Sequence, residues 1–240
     1  KWFDRIYGPN DVVVGRDECW LDVNAWALLC GAATDEQARL VIDNFRKDSL
    51  NSPLGVRAIW PHNTTGEEAY GGVWYVLNMV LIWAANKYDP DFSLELFRKT
   101  SLSNHTQHYP SIWEGVLSGP DCWNGPESKR PGRTWGAWGE QLASEEIADD
   151  DPRAGMSMMS AQSFPVANTH SHASPIMSYI RLAGIETSVE GHLVITPGIG
   201  SFESPILCVR KDGSGWIKSD HEITVESVNG KFTGTGTVTF

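Results

Sequence analysis

Gly71-Gly72-Val73-Trp74-Tyr75-Val76-Leu77-Asn78-Met79-Val80-Leu81-Ile82-Trp83-Ala84-Ala85-Asn86 is the stretch on which the fold turns. The glycine pair opens it, and a nearly unbroken apolar run follows. A run of this length, with Leu, Met and Ala in it, reads as a buried helix. Its apolar part, Val73 to Ala85, falls short of the roughly 20 residues of a membrane span and carries Asn78. Downstream, Asp89-Pro90-Asp91 starts a further helix with Phe92, Leu94, Leu96, Phe97 and Leu102 on it.

Upstream, Trp20 to Cys30 is mostly apolar and Gly31 is a good helix stop. Thr34-Asp35-Glu36-Gln37 is a capping box, and Ala38, Val41, Ile42 and Phe45 follow it at helical spacing. Two helix pairs joined by short turns predict stacked helical hairpins. Residues 49–68 read as a loop holding Trp60, His62, Glu67 and Glu68. Residues 106–165 read mostly as loop, and a loop that long in a compact domain points to function. A fifth helix, about Ser174 to Leu182, ends at Gly184.

Beyond Gly184 the period changes. His192 to Thr196, Ile206 to Val209, Glu222 to Val225 and Thr235 to Val238 are short β-type runs between glycine-rich turns. The expected fold class is mainly α: helical hairpins over residues 1–186, then a small antiparallel β-strand unit over residues 187–240.

The chain has 240 residues, of which 41% are hydrophobic and 20% charged, as in ordinary globular proteins. A net charge of -11 argues against nucleic acid or an anionic membrane surface as partner. Cys19, Cys30, Cys122 and Cys208 show no metal-binding spacing and read as free thiols. The opening Lys1-Trp2-Phe3-Asp4-Arg5 has neither an initiator Met nor a signal pattern. The expectation is a piece of a longer chain, with a cytoplasmic setting favoured. Asn63-Thr64-Thr65 and Asn104-His105-Thr106 match the short glycosylation sequon.

Ten of the eleven tryptophans precede position 140. Many sit beside carboxylates and Gly-Pro turns, as in Tyr109-Pro110-Ser111-Ile112-Trp113-Glu114-Gly115 and Ser118-Gly119-Pro120-Asp121-Cys122-Trp123. Indole is a flat apolar surface with one polar handle. Repeated beside Asp, Glu, Asn and His, it suits the apolar faces and hydroxyl edges of sugar rings.

Several segments together resemble the cellobiose and chitobiose phosphorylases, glycoside hydrolase family 94 and its relatives. Trp20-Leu21-Asp22-Val23-Asn24-Ala25-Trp26-Ala27 resembles the family's Trp-Leu-Asp-x-x-x-Trp-Ala stretch. Glu68-Ala69-Tyr70-Gly71-Gly72-Val73-Trp74 resembles its Glu-x-Gly-Gly segment. Tyr109 to Asn124 resembles its Tyr-Pro-x-x-Trp…Ser-Gly-Pro-Asp region, and Asn168 to Pro197 its last barrel helix and following strand. The resemblance implies part of an (α/α)6 barrel, the C-terminal half, acting on glycosidic bonds. It also implies a general acid upstream of Trp20, on a missing N-terminal half or another chain. Phosphorylases of the family hold phosphate with a His that aligns near Val76 and a Thr-Gly pair near His170-Ser171-His172. Val76 offers no donor, so an inverting hydrolase or transglycosylase is the favoured reading.

Glycosidic cleavage uses two carboxyl groups. Glu114 and Asp121 are the candidates for the base that would activate water, with Trp113 and Trp123 beside them to raise a carboxyl pKa by desolvation. Asp121 is equally a turn residue after Pro120. Asp22, Trp26, Glu68, Trp74, Trp113, Trp123, Arg133, His170 and His172 are the candidate substrate contacts. The expected partner is an oligosaccharide or polysaccharide of β-linked glucose type. No metal and no cofactor are expected, apart from phosphate if the reaction is phosphorolysis. The remaining alternative is a non-catalytic sugar-binding piece.

Overall fold

A computed structural model describes residues 2–61, 72–111, 122–127, 131–132, 173–199 and 201–240. Among them are six helices and twelve strands. The mainly-α expectation is therefore corrected: the chain combines a helical body with a six-stranded mixed sheet.

The body begins with a short hairpin, β1 (Ile6–Tyr7) and β2 (Val13–Val14), whose turn places Asn10 and Asp11 at positive φ. Strand β3 (Cys19–Trp20) runs straight into α1 (Leu21–Leu29), which stops before Gly31 at φ +75°. Helix α2 (Asp35–Asn51) starts at the expected capping box. Thr34 N–H donates to Gln37 Oε1 at 2.9 Å, and Gln37 N–H donates back to Thr34 Oγ1 at 3.2 Å. Strand β4 (Ile59–Trp60) then returns to pair antiparallel with β3.

The same order recurs. Strand β5 (Val73–Trp74) feeds α3 (Tyr75–Asn86), so the apolar run is a two-residue strand followed by a helix. Helix α4 (Pro90–Lys99) has Pro90 in its first turn, and the Asp89 carboxylate caps it by accepting from Phe92 N–H at 3.0 Å. Leu102 falls not on α4 but on a separate helix, α5 (Leu102–His108). The break is chemical: the hydroxyls of Thr100 and Ser101 donate to the carbonyls of Leu96 and Arg98 and compete with the helix ladder. Strand β6 (Cys122–Trp123) pairs back onto β5. Helix α6 (Ser174–Leu182) completes the body.

Helix α3 is apolar on nearly all sides because it packs against α1, α4 and α6. Leu21, Leu28, Phe45, Leu81, Ile82, Phe92, Leu96 and Leu182 meet in the resulting core.

Gly184, at φ +72°, turns α6 into β7 (Ile185–Thr187). Strands β8 (Leu193–Ile195), β9 (Phe202–Ser204), β10 (Leu207–Val209), β11 (Gly215–Ser227) and β12 (Gly230–Thr239) follow. The order is β7-β8-β11-β10-β9, with β12 on the other edge of β11. The β8–β11 pair is parallel, so the unit is mixed rather than antiparallel. Where the register shifts, residues 220–222 of β11 face the single residue Thr235. Two extra residues preserve the alternation, so Ile217 and Val225 keep the same face.

Candidate functional site

The two strand-to-helix joints are built alike. Trp20 and Trp74 stand at the N-cap positions of α1 and α3, each extended, and each is followed four residues later by a buried asparagine. Asn78 Nδ2 donates to Trp74 O at 2.9 Å and to Val56 O at 2.8 Å, while its Oδ1 accepts from Val56 N–H at 3.0 Å. Asn24 Nδ2 donates to Trp20 O at 2.9 Å, and its Oδ1 accepts from Phe3 N–H at 2.9 Å. Each carboxamide thus satisfies a helix-entry carbonyl and clamps a neighbouring extended segment.

Backbone bonds join the two joints laterally. Leu21 N–H donates to Ala58 O at 2.9 Å, and Ala58 N–H donates to Gly72 O at 3.0 Å. The N-termini of α1 and α3 therefore open on one end of the body, with Trp20, Trp60 and Trp74 half-buried there. Trp2 packs edge-on against Trp60, ring centroids 6.3 Å apart, and donates its indole N–H to Gly15 O at 2.8 Å. The Arg5 guanidinium lies 4.0 Å over the Trp20 ring and pairs with Asp22 at 3.0 Å. Asp22 is in the first turn of α1, where its charge also favours the helix dipole.

Of the expected substrate contacts, Trp74 and Asp22 lie at this end. Trp26 is on α1 and 52% exposed. Trp123 is fully buried. His105 stacks on it at 3.6 Å, and its indole N–H donates to the Tyr75 hydroxyl. Burial pushes the Tyr75 phenol well above its ordinary pKa. Glu68, Trp113, Glu114, Asp121, Arg133, His170 and His172 lie outside the described residues. Among the described residues no group of three His, Cys, Asp or Glu is placed to hold a metal, and no helix is long and apolar enough to cross a membrane. Cys30 is exposed, and Cys19, Cys122 and Cys208 are buried.

Two buried arrangements escaped the sequence reading. Arg57 Nε donates to Asp48 Oδ1 at 2.8 Å, and its Nη1 reaches Glu127 Oε1 at 2.6 Å. His105 Nε2 is 2.8 Å from Gly132 O, so that nitrogen carries the proton, while Nδ1 has no hydrogen-bond partner among the described residues. Burial lowers the His105 pKa and keeps the ring neutral. The clamping asparagines did have a signal: Trp-x-x-x-Asn occurs at both Trp20–Asn24 and Trp74–Asn78.

No protein-family model matches the chain, and no curated protein matches it.

Proposed function

We propose that this chain is the carbohydrate-handling part of an enzyme that cleaves or transfers the glycosidic bonds of β-linked gluco-oligosaccharides, with inverting hydrolysis favoured. The observation that carries the reading is the lateral joining of two tryptophan-capped helix entries at one end of the body. Half-buried indoles offer apolar faces to sugar rings, and the adjacent Arg5–Asp22 pair offers donors and acceptors to hydroxyls. The segments that resemble family 94 include these same residues, Trp20–Leu28 and Glu68–Asn78. In this proposal Glu114 or Asp121 is the base that activates water, and the general acid belongs to chain upstream of Trp20. The binding-only reading draws on Asp22, whose carboxylate is already held by Arg5.

The tests are titration of the 240-residue chain with cellobiose and longer cello-oligosaccharides, followed by tryptophan fluorescence, and reducing-end release, with and without phosphate, by the chain together with the upstream segment that carries the general acid. Saturable quenching is expected, and Trp20→Ala or Trp74→Ala should weaken it roughly three- to tenfold. Release without phosphate that falls in Glu114→Gln or Asp121→Asn, with quenching intact, supports the hydrolase. Phosphate-dependent release moves the reading to a phosphorylase, and quenching without release moves it to a binding module. A fluorescence signal indifferent to all the sugars ends the proposal.

A further inference from the structure

Among the described residues the six-stranded sheet ends in three outer strands, and they are not alike. Strands β7 and β9 are three residues long each, and short edges are one way in which proteins avoid recruiting another chain. Strand β12 is ten residues long, contains no proline and carries Lys231 as its single charge. It pairs with β11 on one side and with no strand on the other.

The direction of its backbone groups follows from its end. Gly215 and Phe240 exchange both backbone hydrogen bonds, at 2.8 and 3.0 Å. Alternation from that pair points Phe232 and Gly234 towards β11. It points the N–H and C=O groups of Lys231, Thr233 and Thr235 away from β11, to the open edge. Gly236, at φ +81°, bends the strand just beyond them. The unbent part of the edge is therefore 230–235, and its outward residues centre on Thr233.

This edge is complementary to itself. Antiparallel pairing of two copies about Thr233 sets Thr233 opposite its own image and Lys231 opposite Thr235 of the second copy, with about six backbone hydrogen bonds. The lone lysine thus avoids its own image. Thr235 in turn lies opposite residues 220–222 of β11, where the register shifts. Counted from Lys218 and Thr224, Asp220 and Glu222 share the sheet face of Thr235 and Lys231. Both carboxylates are exposed, and neither makes an ion pair among the described residues. Lys231 of one copy would stand between its own Glu226, at 3.0 Å, and these two carboxylates of the other. Threonine against threonine is a pairing this face already uses, with the Thr224 and Thr233 hydroxyls 3.0 Å apart. We propose that β12 is a self-association edge, joining two copies of the chain antiparallel about Thr233 into one continuous sheet. So short an edge buries less than a standard interface, so the association is weak and concentration-dependent.

Sedimentation equilibrium and amide hydrogen exchange of the full chain test it. Between about 10 μM and about 1 mM the mass should climb from 26.5 kDa towards twice that value. Over the same range the amides of Lys231, Thr233 and Thr235 should gain protection, whereas those of Phe232 and Gly234, already bonded to β11, should not change. Thr233→Pro removes an outward N–H and leaves the β11 ladder intact, and should weaken association at least about tenfold. Asp220→Lys with Glu222→Lys, made on exposed residues away from the new ladder, should weaken it about tenfold by setting like charges beside Lys231. Both variants should keep the wild-type far-UV circular dichroism, and the lysine variant carries the test if the proline unfolds the sheet. A chain that stays at 26.5 kDa throughout overturns the proposal, whatever other segment or peptide takes the edge. So does a dimer that folded variants leave equally tight, or one in which the three outward amides gain no protection.

Discussion

Asn78 carries more of the body's integrity than its polarity suggests. Its carboxamide makes three hydrogen bonds in a fully buried setting, and truncation leaves Val56 N–H, Val56 O and Trp74 O without it. Asn78→Ala should destabilise the chain by about 3 kcal/mol in urea unfolding. Asn24→Ala should cost only about 1–2 kcal/mol, because its Phe3 partner lies near the surface and can turn to water. Equal losses would show that the joints are not used as their burial implies. The Trp-x-x-x-Asn spacing of both joints is legible in the sequence, whereas Phe3 and Val56, the groups being clamped, are set by tertiary packing. His105 gives a pH signature. Its folded pKa is depressed by burial, so between that value and the ordinary 6.5 the unfolded chain binds the extra proton. The His105 contribution therefore favours folding at neutral pH and is lost as pH falls from about 6.5 through the lower folded value. Stability measured at about pH 7.5 and about pH 5.5 should drop less in His105→Gln than in the wild-type chain.

At the scale of elements, Gly184 is the position with least freedom. It converts α6 into β7 at φ +72°, and a Cβ built on it would stand 1.9 Å from Thr196 O, a backbone atom. Gly184→Ala combines left-handed strain with that collision and should cost about 3 kcal/mol or more, read as a fall in thermal midpoint. Gly31→Ala is the control, since nothing lies within 4 Å of its Cβ and only the strain applies. Elements with local causes were legible. The Thr34 capping box starts α2, Asp89-Pro90 starts α4, and α6 spans Ser174–Leu182 as its pattern predicts. Strands β3 to β6 were not, because each is two residues long and exists only through a partner some 40 or more residues away. The sheet was under-read for a related reason. Polar residues such as Lys218, Ser219 and Lys231 extend β11 and β12 through ladder pairing that no hydrophobic alternation announces. Of the proposed base, residue type and neighbours were legible for Glu114 and Asp121, which both lie outside the described residues.

Among the described residues, the two largest hydrophobic cores meet along one helix. Leu182 belongs to the core of the body and its neighbour Ala183 to the core of the sheet, where Ile185, Val209, Val225 and Phe240 surround it. Tyr179 of α6 lies between Phe97, at 6.4 Å, and Phe202 of the sheet, at 3.9 Å. A division between residues 186 and 187 would cut through β7, so the sheet has no boundary of its own in the sequence. Shared packing of this kind predicts one cooperative transition rather than two. The tryptophans make this measurable: ten of eleven precede residue 140, and Trp216 alone sits in the sheet. Indole fluorescence therefore reports mainly the body, and far-UV circular dichroism reports body and sheet together. The two unfolding curves should coincide in the wild-type chain. Leu182→Ala should move both by the same amount, about 2–4 kcal/mol. Tyr179→Ala removes the aromatic bridge without opening the body core, and should separate the curves, with the sheet melting first. Coincident curves in Tyr179→Ala would place the coupling in the α6 backbone and Gly184 instead of in the side chains at the seam.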